Sequence, residues 1–217
     1  MKLRGMCAKA LNYAGYAFPA EGLGPGKRVV MWVRGCRRGC VGCVAPDLQT
    51  PGQPTPIDDI VEQLAPALAR ADGLSISGGE PFDQAEALSC LLDRLRARTV
   101  VEVLVYSGYL YEELMKRDDA SRELLRRLDL LVDGPFLQDE PNTLQWRGSD
   151  NQRVLLLSQQ AQQYQEIKDT LMPERRPLHI YQITPGHYRL IGIPRRGDLL
   201  AFQQQMAARG FEVRSKE

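Results

Sequence analysis

The sequence has no apolar run near the ~20 residues that a membrane-spanning helix needs, and no signal-peptide core follows Met1-Lys2-Leu3-Arg4. The expected location is therefore the cytoplasm, with no membrane partner. Net charge is almost absent, since 28 Lys and Arg against 27 Asp and Glu leave +1. That balance gives no general attraction to nucleic acid or to an anionic surface. The pairs Arg175-Arg176 and Arg195-Arg196 are too small a patch to change this. Histidine is scarce, at 2 residues, and both fall in a hairpin-like stretch as strand-face or turn residues rather than ligands. Internal repeats and low-complexity segments are missing, so neither a repeat array nor a disordered tail is expected. Cysteine is present in an odd number, 5, and three lie within eight residues of one another. That excludes a disulfide framework and points to a metal site in a reducing compartment.

What is present is a strand and helix alternation, the pattern of a parallel sheet. Val29 to Val33 is apolar throughout, as in a strand covered on both faces. A proline-rich loop over 44–56 leads to a helix with Thr55 as cap and Pro56 at its first position. Its stripe is Ile57, Ile60, Val61, Leu64 and Leu68, with Pro66 expected to kink or end it. Gly73 to Ser77 is the next strand. Asp83, with Glu86 three residues on, has the spacing of a capping box for a helix faced by Leu88, Leu91, Leu92 and Leu95. Cys90 reads as off that stripe. Strands follow at 100–106, 128–132 and 154–157, with helical segments between 109 and 127 and a helix at 159–171. A hairpin around Thr184-Pro185-Gly186-His187, a helix at 199–209 stopped by Gly210, and a short strand at 211–213 complete the chain. The expected division is a core over 1–172 and an α+β appendage over 173–217.

The cysteines form Cys36-Arg37-Arg38-Gly39-Cys40-Val41-Gly42-Cys43, a C-x3-C-x2-C spacing directly after the first strand. Thiolates are soft ligands that suit iron–sulfur clusters and zinc. A cube of four irons held by three cysteines keeps one iron open, which is where a substrate could bind. The alternative is a zinc site completed by Cys7 or a histidine. Later strand ends add polar groups. Ser77-Gly78-Gly79-Glu80-Pro81 ends the second strand, where glycines permit close backbone approach and Glu80 can accept from an ammonium. Tyr106-Ser107-Gly108-Tyr109 ends the third and Asp133-Gly134-Pro135 the fourth. Each has a plain reading as a turn. All lie at the C-terminal ends of successive strands, where α/β folds of barrel type place their sites.

With those residues in view, the chain resembles the radical S-adenosylmethionine (SAM) superfamily. The three cysteines match its cluster motif, and Ser77-Gly78-Gly79-Glu80 is similar to its GGE segment. The resemblance implies a 4Fe–4S cluster on Cys36, Cys40 and Cys43, and SAM bound by Ser77, Gly78, Gly79 and Glu80 with Ser107 near the ribose. Asp133 and Arg153 are further candidates for cofactor binding. It also implies an incomplete (β/α)6-type parallel barrel and reductive cleavage of SAM to a 5′-deoxyadenosyl radical. A narrower likeness is to the activating enzymes of glycyl-radical enzymes, the anaerobic ribonucleotide reductase group above all. It rests on Gly24-Pro25-Gly26-Lys27-Arg28, on Val33-Arg34-Gly35-Cys36, on Asp129 to Phe136 and on Arg147-Gly148-Ser149-Asp150-Asn151-Gln152-Arg153. That likeness implies a partner protein whose glycine gives up a hydrogen, and an electron donor such as flavodoxin or ferredoxin. Val44-Ala45 stand where such enzymes usually carry an aromatic residue and Asn. Two other readings remain open: radical chemistry on a peptide or small metabolite, and a non-catalytic binding module stabilised by metal. Trp32 is expected in the core, and Trp146, beside the 147–153 stretch, is the one aromatic to test at a partner surface.

Overall fold

A computed structural model describes residues 8–185, 187–195 and 197–210. Cys7 and the strand expected at 211–213 lie outside the described residues. The elements are β1 (Ala10–Leu11), β2 (Tyr13–Ala20), β3 (Arg28–Val33), β4 (Thr55–Pro56), α1 (Ile57–Leu68), β5 (Gly73–Gly78), α2 (Ala85–Arg96) and β6 (Val103–Tyr106). They continue with α3 (Tyr111–Arg117), α4 (Asp119–Leu125), β7 (Leu130–Asp133), β8 (Arg153–Leu156), β9 (His179–Thr184), β10 (His187–Ile191) and α5 (Asp198–Ala208). Among them no helix is long and apolar enough to cross a membrane.

The main sheet has six strands in the order β2-β3-β5-β6-β7-β8. Strands β3, β5, β6 and β7 are parallel neighbours. The two outer strands run antiparallel to theirs, whereas the sequence pattern leads one to expect parallel strands throughout. Alternation divides the core. Val29, Met31, Val33, Leu74, Ile76, Val103, Val105 and Leu131 meet the leucines of α1, α2 and α4 on one face. Val30 and Trp32 on the other face meet Ala17, Ala20, Leu48 and Ile191. Leu104, Leu130 and Val132 there meet Trp146, Val154 and Ala161. Leu64, Leu88, Leu91, Leu92 and Leu95 are each 0% exposed, and burial of such a side chain contributes about 2 kcal/mol.

One buried polar network fixes the N-terminal end of these strands. Arg28, fully buried, donates to Glu102 Oε1 at 2.8 Å, Ser75 Oγ at 2.7 Å and the Leu74 carbonyl at 2.9 Å. Tyr164 donates to Glu102 Oε2 at 2.9 Å. A buried ion pair is tolerable when its remaining hydrogen-bonding groups find partners, as here.

Several local expectations are corrected. Thr55 does not cap α1; it pairs with Leu11, and Pro56 is the cap residue, with Pro66 in the last turn. Asp83 does not cap α2, because Arg117 and Tyr109 claim its carboxylate; it lies in a 3-10 turn capped by Glu80. The expected helix over 159–171 is only a 3-10 turn at Gln160–Tyr164, since Ala161 is the one buried residue it offers. Cys90 is buried with the leucines of α2 rather than off their stripe. Trp146 is 5% exposed and stacks edge-on against Tyr164 at 6.0 Å, so it is a core residue and not a partner surface.

Candidate functional site

Strand β3 delivers the chain to the cysteines, and its exit is tied down at each residue. Arg34 N donates to Asn12 O at 2.7 Å, Gly35 N to Leu48 O at 2.8 Å and Cys36 N to Gln49 O at 2.9 Å. Gln84 braces the same exit, accepting from Asn12 N at 2.7 Å and donating to Arg34 O at 3.0 Å. Beyond it, Cys43 N reaches Cys40 O at 3.3 Å, closing a tight loop. The three cysteines are reduced and half-buried. Burial raises the Cys36 thiol, opposed by the N–H groups of Arg38 and Gly39. Arg38 N lies 3.4 Å from Cys36 Sγ, as an N–H donor to sulfur does.

Among the described residues no group of three His, Cys, Asp or Glu side chains sits close enough to share one metal ion. A cube sets each thiolate on a different iron, so its loop need not bring three sulfurs to one point. Three soft, free ligands on one short loop suit that group.

The loop shares a wall with the 77–80 segment. Gly79 N donates to Val33 O and Glu80 N to Gly35 O, both at 2.8 Å. A Cβ on Gly79 would stand 2.3 Å from Gly35 O, closer than any side chain can come. Only glycine lets these two backbones lie together. Glu80 is 1% exposed. Its Oε1 accepts from Phe82 N at 3.0 Å and Ser107 Oγ at 3.0 Å, and its Oε2 from Gly108 N at 2.8 Å. Ser107 Oγ also accepts from Tyr109 N at 3.1 Å. Burial pushes the Glu80 carboxyl up to about 7, against the lowering by those donors. Three candidate groups from the sequence, the cysteine loop, Ser77 to Glu80 and Ser107, therefore adjoin one another at the ends of β3, β5 and β6.

Asp133 and Arg153 form a different cluster. They face each other across β7 and β8. Asp133 is fully buried and accepts from Tyr111 N at 2.7 Å and from Arg153 Nε at 2.9 Å. Arg153 reaches on to Glu112 at 2.8 Å. The 147–153 stretch largely bonds to its own chain. Gln152 accepts from Gly148 N and donates to Gly134 O, both at 2.9 Å, while Asn151 donates to Pro135 O at 2.9 Å. Arg147, buried, is paired with Asp169.

Sequence reasoning missed a cationic layer beside the loop. Arg38 and Arg117 lie over Tyr109, at 4.6 and 4.7 Å from its ring centre. Arg117 also donates to Asp83 at 2.8 Å, and Arg37 lies 3.6 Å from the same carboxylate. Arg117 stands in the charged run Lys116-Arg117-Asp118-Asp119, whose composition is that of a solvated face, and only the folded packing of α3 against the 83 turn distinguishes it.

A family model described as a 4Fe-4S single cluster domain matches residues 23–155. The anaerobic ribonucleoside-triphosphate reductase-activating protein of Vibrio cholerae is 34% identical over 154 residues, covering 66% of this chain and 97% of that protein. The protein of that name from Escherichia coli K12 is 32% identical over 154 residues, with the same coverage of 66% and 97%. The one from Enterobacteria phage T4 is 33% identical over 138 residues, covering 60% of this chain and 85% of its own length.

Proposed function

The chain belongs to the 4Fe-4S single cluster domain family, among the reductase-activating proteins, and from that premise we propose that it is a radical SAM enzyme that activates an anaerobic ribonucleoside-triphosphate reductase. Cys36, Cys40 and Cys43 would hold the cluster. Bound together, a reduced cluster and SAM supply one-electron cleavage of a sulfonium C–S bond. The observation that carries the reading is the shared wall of the cysteine loop and the 78–80 segment, made by the bonds from Gly79 N and Glu80 N.

In this reading the chain's own residues bind and orient. A carboxylate offers about four acceptor sites. Glu80 uses three of them on Phe82, Ser107 and Gly108, and the acceptor capacity left over would suit the SAM ammonium. Ser77, Gly78 and Gly79 would line the same end of SAM, and Ser107, held by Glu80, would sit near the ribose. Asp133 and Arg153 satisfy each other and serve the frame of β7 and β8. We further propose that the sheet is an incomplete barrel of the (β/α) kind, with 173–217 as an appendage. A cytoplasmic setting is part of the proposal, since the three thiols of the 36–43 loop must stay reduced to hold a cluster.

The test is direct. Reconstituted protein, SAM and a strong reductant are mixed with an anaerobic ribonucleoside-triphosphate reductase, and electron paramagnetic resonance (EPR) is used to look for a glycyl radical. Its formation is expected. A partner that stays silent while SAM is cleaved would overturn the assignment of partner.

The electron donor is proposed to be acidic, of the flavodoxin or ferredoxin kind. Each cysteine is followed by an exposed residue: the Arg37 side chain is 79% exposed, Val41 81% and Val44 79%. This patch of one cation and two apolar groups lies nearest the cluster ligands. Arg37→Glu is expected to slow cluster reduction by a reduced flavodoxin about 10-fold at low salt, a typical loss of electrostatic steering. Reduction by dithionite should be unchanged. Equal rates with flavodoxin would remove the patch from the account.

A further inference from the structure

The hairpin of β9 and β10 lies beyond the stretch that the family model matches. A two-stranded hairpin has little stability alone, and this one is fastened to the body at chosen points. Tyr181 donates to Pro19 O, and Glu21 N donates to His179 Nε2 at 3.2 Å. One shared core cluster and one ion pair link it to the turn at Pro46–Leu48, just after the third cysteine. Ile191 is 2% exposed and packs in one cluster with Leu48, Val30 and Trp32. Arg189 lies 5.1 Å over the Trp32 ring and 3.7 Å from Asp47. The turn so held is the one that receives Gly35 N and Cys36 N, through Leu48 O and Gln49 O. Arg34 Nη2 also donates to Asp47 O, at 2.8 Å.

We infer that the C-terminal hairpin is a positioning element for the cysteine loop, in which Arg189 and Ile191 hold the 46–49 turn that fixes the backbone of Gly35 and Cys36. The route is contiguous: hairpin side chains, turn, then the backbone bonds at the first cluster ligand. Trp32 contributes twice, as the surface under Arg189 and as a core neighbour of Ile191. A cation over an indole face is attracted by the ring quadrupole, and the ion pair to Asp47 orients the same guanidinium toward the turn. Among the described residues neither bonds to a cysteine of the loop, so both act through the turn.

The experiment uses the full chain without its cluster first, so the outcome does not depend on the proposed chemistry. Hydrogen exchange is followed by mass spectrometry in wild type, Arg189→Met, Arg189→Lys and Ile191→Ala. Exchange in peptides over 33–50 is expected to quicken about 10-fold in Arg189→Met and Ile191→Ala, since their protection follows local opening. Peptides from α1 and α2 should not change, and Arg189→Lys should restore part of the protection. After reconstitution, the same two variants are expected to lose the cluster to a chelator several-fold faster, with an altered EPR line shape in the reduced state. Unchanged 33–50 exchange would overturn the inference, as would exchange rising equally in α1 and α2, which marks general loosening. Failure of SAM cleavage with the predicted exchange pattern intact would instead count against the proposed function alone.

Discussion

Gly79→Ala is expected to cost at least about 3 kcal/mol of stability, the upper range for overpacking with backbone displacement. The new Cβ would stand 2.3 Å from Gly35 O, 2.8 Å from its carbonyl carbon and 3.0 Å from its nitrogen. These are backbone atoms and cannot rotate away. The register of β3 on β5, which pairs Val33 with Gly78, leaves no room to slide. Relief requires parting residue 79 from residue 35, which breaks the bonds from Gly79 N and Glu80 N and displaces the residue before Cys36. A protein of this size should lose roughly 6–12 °C in Tm for that cost, and cluster incorporation should fall with it. Gly52→Ala is the control. Its Cβ meets Arg34 Cδ at 2.7 Å, a side chain that can shift at the expense of its exposed bond to Asp47 O, so only about 1 kcal/mol is expected. Equal melting temperatures for Gly79→Ala and wild type would show that the two segments are not pressed together.

Glu80→Ala is expected to be as damaging, and Glu80 also predicts a pH dependence. Alanine leaves Phe82 N, Ser107 Oγ and Gly108 N without their acceptor in a buried place, and each such group costs about 1–3 kcal/mol. Glutamine keeps the shape, but its amide oxygen can serve only one side, and its NH2 opposes an N–H donor on the other. The carboxyl stands near 7 in the fold because of burial, against an ordinary value near 4.3 in the unfolded chain. The folded state therefore binds the proton more tightly. This contribution to stability is full below about pH 4 and is lost as pH rises through about 7, a fall of roughly 3–4 kcal/mol. Urea denaturation of the cluster-free protein at pH 5 and pH 8 should show most of this fall in wild type, about 2.5 kcal/mol. In Glu80→Gln most of it should be missing. A wild type and a Glu80→Gln protein with parallel pH profiles would mean that Glu80 is ionised in the fold at both pH values.

Much of the site was legible because its residues sit in short local patterns. Three thiols at ligand spacing and two glycines before Glu80 need no knowledge of the fold to be noticed. That they adjoin follows from β3 and β5 being parallel neighbours, so that both C-terminal ends reach one side. Contacts spanning many residues were not legible. Nothing near Asp83 in sequence reveals that Arg117 will claim it, and the capping-box spacing therefore misled. Arg28 and Glu102, 74 positions apart, form a buried pair that neither segment signals. Strand β2 went unread because Gly15 and Pro19 interrupt it, and an edge strand tolerates both as an inner strand does not. The stretch after Gln159 has helical composition but one buried residue, Ala161. A helix stabilised by packing needs a longer apolar face than that.

The hairpin at 179–191 shows how a segment outside the matched region can still bear on the site. Its sequence gives two strands and a turn and no hint of a target. Only the fold sets Arg189 over Trp32, a residue of the strand that leads to Cys36.

The most direct measurement of the central claim is formation of 5′-deoxyadenosine by anaerobically reconstituted protein given SAM and a strong reductant, with Cys40→Ala assayed beside it. The account predicts product from the wild type and none from the variant, together with iron and acid-labile sulfide near four of each per chain, as one cube requires. Stoichiometric zinc without labile sulfide, or an intact and reducible cluster that leaves SAM uncleaved with or without the reductase present, would contradict it.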